Sequence, residues 1–269
     1  MNNSTSQISP AWPTRWPKGS FSVWWTLGFI LLTALVLLIV TILTMLFLIA
    51  SDPKVVNEFR SCATMAKAFV PAAIVQLPME AAALLCVVIG LPLLTKFSLR
   101  ELGFRVPNWR DIGYALLGMF GMFIVTDLGG SLGQGLTHTK QPEQVVQMFL
   151  AIHDARTVVF FVIFAIVLAP IFEETIFRLF LFNLGLRYGG FWGGAIFSGL
   201  LFGFAHWDTC GSAKGLLFGT VLPLALGGMV LSWVYYRSRN AYTSMISHGL
   251  FNAVSTAALH FAPKLAGGS

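Results

Sequence analysis

Six side chains in the C-terminal half have the types and spacing to move a proton and hold a ligand oxygen: Glu173, Glu174, Arg178, His206, His248 and Asn252. The stretch 168–182, LAPIFEETIFRLFLF, sets two glutamates and an arginine in an otherwise apolar run, just after Pro170. Charge at the centre of a membrane helix costs roughly 2.5–3.5 kcal/mol on insertion scales, so each such residue needs a partner or a purpose. Glu174 and Arg178 stand four apart with the acid first, the favourable order for an intrahelical pair. Glu173 lies about 100° around the helix from Glu174 and has Phe177, not a cation, four residues on. One neutralising network for helix packing explains Glu174 and Arg178 but leaves Glu173 over. A spare carboxyl in a dry site is suited to proton transfer.

His206 closes the run GLLFGFAHW. If the helices on either side of Arg187–Gly190 form a hairpin, Glu173 and His206 both lie roughly 24–26 Å from the turn at 1.5 Å per residue. That common depth favours a shared site over a merely interfacial histidine. In the last run, YTSMISHGLFNAVSTAALHF, His248 and Asn252 share a helix face. They can bond a neighbouring helix, or present two donors to one ligand oxygen. Glu80 and Asp127 are further acids within apolar runs, either lining the same cavity or bonded to a neighbouring helix.

These side chains need helices in lipid to hold them. The 269 residues are 56% hydrophobic and 10% charged, with a mean hydropathy of +0.77, where soluble domains carry about a quarter charged residues. Residues 23–50 hold no charge, which exceeds the roughly 20 residues needed to span a hydrocarbon core. Further apolar runs at 69–95, 113–137, 157–184, 191–206, 215–236 and 241–262 bring the expected spans to about seven. Each must be helical, because lipid offers no partner for free backbone N–H and C=O groups. The expectation is an all-α polytopic membrane bundle. It divides into a polar tail (1–22), N-terminal helices and connections (23–156), a catalytic core (157–262) and a short C-terminal tail (263–269).

The first apolar run is about twice as long as that of a cleavable leader, so it reads as a retained span. A net charge of +6 spread over loops reports orientation rather than a nucleic-acid partner. It weakly favours a cytoplasmic N-terminus. Cys86 falls within a span as a small core residue, while Cys62 and Cys210 fall in outer connections where they could pair.

Taken in order, Glu173-Glu174-x-x-x-Arg178, Phe202-x-x-x-His206 and His248-x-x-x-Asn252 resemble the CAAX protease and bacteriocin-processing family, whose eukaryotic members remove the C-terminal tripeptide of prenylated proteins. The resemblance covers about residues 157–257, and LRELGFR (99–105) is similar to the family's upstream region. It implies a glutamate-dependent intramembrane endopeptidase acting on a peptide or protein substrate in the bilayer, prenylated or not. If the source is prokaryotic, the location is the plasma membrane. By motif position, Glu173 is the general base and His206 its partner in activating water. Glu174 and Arg178 orient the site, and His248 and Asn252 hold the oxyanion.

Water is the expected nucleophile, since no serine or cysteine stands at a suggestive spacing beside these residues. No cofactor is expected. Zinc held by Glu173, His206 and His248 stays open, although the HExxH pattern is missing. Two other classes stay open as well. A non-catalytic scaffold or immunity protein would have no need of Glu173. A proton-coupled carrier would more often show a repeat and polar residues in both halves.

Overall fold

The computed structural model describes residues 23–59, 67–138, 144–207 and 212–265. The expectations for the tail 1–22 and for Cys62 with Cys210 lie outside these residues. The regular structure described is helical throughout: α1 (Val23–Ser51), α2 (Val55–Glu58), α3 (Phe69–Thr95), α4 (Trp109–Thr137), α5 (Gln144–Leu150), a 51-residue run Ala155–Ala205, α8 (Ala213–Ser238) and α9 (Ala241–Leu265). The long run breaks at Gly190, whose φ of 62° and ψ of −163° suit glycine and few other residues. Its arms are α6 (residues 155–189) and α7 (residues 191–205).

The architecture is the expected all-α polytopic bundle. Five helices have the length and apolarity to cross a membrane: α1, α3, α4, the α6–α7 run and α8. The expected count of seven is not reached on that measure. Taken together, α6 and α7 make one continuous run, and α9 falls outside the five. Thr243, Ser244, Ser247, His248 and Asn252 all lie in α9 and lower its hydropathy. The most apolar 18-residue window of α1 has no buried residue, whereas 61% of that of α8 is buried. One helix therefore sits at the lipid-facing periphery and the other at the centre of the bundle.

Close backbone approach holds α7 against α8. A Cβ at Gly203 would collide with the carbonyl of Val221, and one at Gly199 would lie 2.7 Å from that of Ala225. Small residues at such crossings take the place of the hydrophobic drive that lipid does not supply.

At the far end of α8, the 99–105 loop works as a clamp. Leu102 O accepts from Tyr235 Oη at 2.9 Å, and Gly103 O accepts from the Ala241 N–H at 2.9 Å. Arg105 grips both oxygens of Asp111 at 2.9 and 3.0 Å and donates to Ser238 O at 2.7 Å. Asp111 also completes the capping box at the start of α4 with Asn108. The corner from which α9 departs is thereby tied to α4, and α9 carries His248.

Candidate active site

Hydrogen bonds and ring contacts set the hairpin register. Gly185 packs on Gly194, Arg178 Nη1 donates to Ser198 Oγ at 3.0 Å, and the rings of Phe177 and Phe202 meet edge-to-face at 5.1 Å. Carried one turn further, that antiparallel register sets residue 173 opposite residue 206. Glu173 and His206 both line one cavity of about 540 Å³, as do His248 and Asn252. The depth argument from the sequence and the packed register agree.

Glu174 and Arg178 stand behind the cavity wall, both fully buried. Arg178 Nε lies 2.9 Å from Glu174 Oε2, Nη2 donates to Oε1 at 3.3 Å, and Nη1 takes the Ser198 hydroxyl. That hydroxyl in turn donates to Phe177 O at 2.7 Å. The guanidinium also lies 5.2 Å from the centre of the Phe202 ring. Charge is thus neutralised within one turn, and a further donor is used by the facing arm.

Glu174 Oε1 also holds His248 Nδ1 at 3.1 Å. A carboxylate already paired with arginine takes a donor here, so Nδ1 carries the proton and Nε2 is turned toward the cavity. Nε2 lies 3.8 Å from Glu173 Oε2. That oxygen is buried and has no hydrogen-bond partner among the described residues. The histidine within ion-pair reach of Glu173 is His248, on a third helix, while His206 lines the same cavity.

His206 terminates α7, where its Nδ1 is 2.9 Å from Phe202 O. A carbonyl only accepts, so Nδ1 bears hydrogen and Nε2 is left as the basic nitrogen. Phe202 packs under both imidazoles, with ring centres 4.9 Å from His206 and 5.7 Å from His248.

A defect in α6 places Asn252. Residues Phe164–Leu168 form a widened turn in which the Ala169 N–H bonds Phe164 O, five residues back. Ala165 O has then lost its α-helical donor, and Pro170 has no N–H to offer in its place. Asn252 Nδ2 fills the gap, donating to Ala165 O at 2.8 Å. One amide hydrogen of Asn252 is spent on this bond and the other remains.

Gly249 passes the same defect so closely that an added Cβ would lie 2.6 Å from Ile166 O. That carbonyl also lost its donor to Pro170. Gly249→Ala is expected to push α9 away and carry His248 with it. A misplacement of about 1 Å can cost roughly 10²-fold in rate. The expected result is a fall in kcat of that order, larger than any loss of thermal stability accounts for, checked by paired rate and melting measurements.

Residues 155–254 match the family model described as type II CAAX prenyl endopeptidase Rce1-like. Over that segment the chain is similar to the CAAX protease family. No curated protein and no solved structure matches it. With five helices long and apolar enough to cross a membrane the chain is an integral multi-pass membrane protein, and its matched segment is similar to CAAX-type intramembrane endopeptidases. The matched segment contains α6, α7, α8 and the part of α9 that carries His248 and Asn252, and thus all six residues singled out from the sequence.

The sequence reading passed over three features of the candidate site. Ser198 tethers Arg178, a role visible only once the hairpin register is known. Phe202 was part of a motif but carried no assigned task. Gln76, on α3 outside the matched segment, lines the cavity beside Glu80. Asp127 is exposed on α4 and does not line it. Among the described residues, no three His, Cys, Asp or Glu side chains are grouped as a metal ion would need.

Proposed function

We propose that the protein hydrolyses a peptide bond of a membrane-associated substrate with a water activated by Glu173 and His206. The observation that carries this is the buried Oε2 of Glu173, without a hydrogen-bond partner among the described residues, on a side chain that lines a cavity shared with His206, His248 and Asn252. Amide hydrolysis needs an activated water, an acid for the leaving amine and donors for the oxyanion. In this reading Glu173, assisted by His206, takes one water proton as oxygen attacks the carbonyl carbon. The oxyanion is met by His248 Nε2–H, in the imidazolium form, and by the second amide hydrogen of Asn252. When the tetrahedral intermediate collapses, the C–N bond breaks and the stored proton passes to the leaving amine. Glu174 holds His248 in orientation, and Arg178 holds Glu174. In this division of labour the catalytic core is the unit 157–262.

The cavity is also lined by Phe59, Phe69, Phe149, Phe161 and Phe164, which make much of its wall apolar and aromatic. Such a wall suits the apolar part of a substrate, either a prenyl chain or large apolar side chains. This supports a lipid-modified or strongly apolar C-terminal segment as the substrate.

The test is cleavage of a C-terminal peptide library, farnesylated and unmodified, by the purified protein in detergent, with Glu173→Ala and a chelator in parallel. Cleavage that disappears in Glu173→Ala and survives chelation is the expected outcome. Cleavage abolished by chelator and restored by zinc would replace the water-activating pair with a metal centre. A wild-type protein that cuts neither form of any peptide would overturn the peptidase mechanism and favour the scaffold.

A further inference from the structure

A polar side chain that the mechanism above does not use also reaches the cavity. Gln76 lies on α3, outside the segment matched by the family model, and lines the same cavity as Glu173, His206, His248 and Asn252. Its Nε2 donates to Oε1 of Glu80, one turn further along α3, at 2.6 Å. Glu80 is buried, so this bond turns the nitrogen into the protein wall. A side-chain amide is planar, and its oxygen stands on the other branch. Gln76 Oε1 therefore points away from Glu80 and, among the described residues, takes no donor. It is an acceptor held in one orientation at the cavity surface.

Residue count gives its depth. Phe69 begins α3 and meets Phe161 at 5.0 Å between ring centres, Phe149 meets Phe161 at 4.9 Å, and Leu259 of α9 packs on the same cluster. Gln76 is seven residues inward from Phe69 along α3, and Asn252 is seven residues inward from Leu259 along α9. At 1.5 Å per residue both stand about 10 Å from the aromatic cluster, hence at one depth. Both α3 and α9 pack on the Ala169–Glu174 stretch of α6, and the cavity lies between them. Gln76 and Asn252 therefore approach one substrate from opposite walls.

A bound peptide unit needs both kinds of partner. The trans peptide bond sets its C=O and its N–H on opposite edges. A carbonyl turned to the donors His248 and Asn252 on α9 thus turns the N–H of the same unit toward α3. In a cavity with so much aromatic wall, an N–H left without an acceptor is costly. Ser255 and Thr256 also line the cavity, but they stand on α9, the wall that the carbonyl faces.

We propose that Gln76 is a substrate-binding residue whose Oε1 accepts the N–H of the scissile peptide unit, with Glu80 fixing the amide. The inference rests on the reading of Glu173 as general base and of His248 and Asn252 as oxyanion donors. As the C–N bond breaks, its electron pair stays on nitrogen and takes the proton removed from water. The original N–H stays on Gln76 Oε1 throughout, and no covalent bond forms to Gln76. The leaving nitrogen is thereby held in place while it is protonated.

The experiment compares kcat/KM of wild type, Gln76→Leu and Glu173→Gln on two substrates. One is the best-cut peptide of the library, and the other is the matched ester in which oxygen replaces the scissile N–H. Gln76→Leu is expected to lose about tenfold on the peptide, the size of one hydrogen bond. On the ester, which has no hydrogen to donate there, wild type and Gln76→Leu should agree within about twofold. A merely structural role would lower both substrates alike.

Equal losses on peptide and ester, or wild-type rates on both, overturn this proposal alone. An active Glu173→Gln, or a library with no cut peptide, overturns the reading beneath it. If Gln76→Leu does not fold, Gln76→Leu/Glu80→Leu removes both members of the pair, and replacing both partners by apolar groups can be nearly neutral for stability. The ratio of peptide to ester rates then decides in the same way.

Discussion

Glu173→Gln is expected to reduce peptide cleavage by about 10³-fold or more, with the melting temperature in detergent unchanged. The amide keeps the shape of the carboxyl but cannot accept the proton of the attacking water. General-base catalysis contributes typically 10²–10⁴-fold, and here the same group is asked to return the proton to the leaving amine. Stability should hold because, among the described residues, Glu173 makes no salt bridge to Arg178, and His248 Nε2 lies 3.8 Å away. Loss of Oε2 removes a buried acceptor that no donor satisfies among the described residues. The check is a rate measurement on the best-cut peptide, with a melting curve on the same preparation. A Glu173→Gln protein that keeps its rate would move the base elsewhere. A variant that loses rate and fold together would make Glu173 a structural residue.

The second large effect falls on stability, at the neighbouring position. Arg178→Met leaves Glu174 fully buried, with His248 and no guanidinium. Breaking a buried pair by removing one partner typically costs about 3–5 kcal/mol, because the remaining charge stays uncompensated. That loss is expected here, measured by denaturation in mixed detergent. The double variant Glu174→Gln/Arg178→Met removes both charges and should recover much of the stability. It should not recover the activity, since the anion that holds His248 Nδ1 is gone. Stability and activity would then part company between the single and double variants, which separates the neutralising role of the pair from its orienting role. A double variant as unstable as the single would mean that the packing of Arg178 against Ser198 and Phe202 matters more than its charge.

These two predictions concern adjacent residues of one helix, and their different legibility in the sequence has a physical cause. Glu174 and Arg178 interact across one helical turn, so their pairing follows from spacing alone. The common depth of Glu173 and His206 also follows from spacing, because rise per residue converts residue count into distance from the turn. The membrane bundle follows from runs without charge, since lipid admits only closed hydrogen-bonded backbone. Composition could not give the number of spans. The polar residues of α9 that build the site also remove it from the helices apolar enough to be counted, and Gly190 divides what is otherwise one run.

What the sequence by itself determined, then, is the class of fold, the set of six residues and the pairs that lie within one helix. The tertiary structure decided which helices meet. His248 reaches Glu174 and Glu173 across 74 and 75 positions of chain, and Asn252 is drawn to a carbonyl left without its donor by the widened turn of another helix. Each contact depends on rotation and register between helices, set by close glycine crossings and by the 99–105 clamp. Periodicity along one chain records which face of a helix is polar. It does not record which neighbour that face will meet, because the neighbour is chosen by packing between segments far apart in the chain.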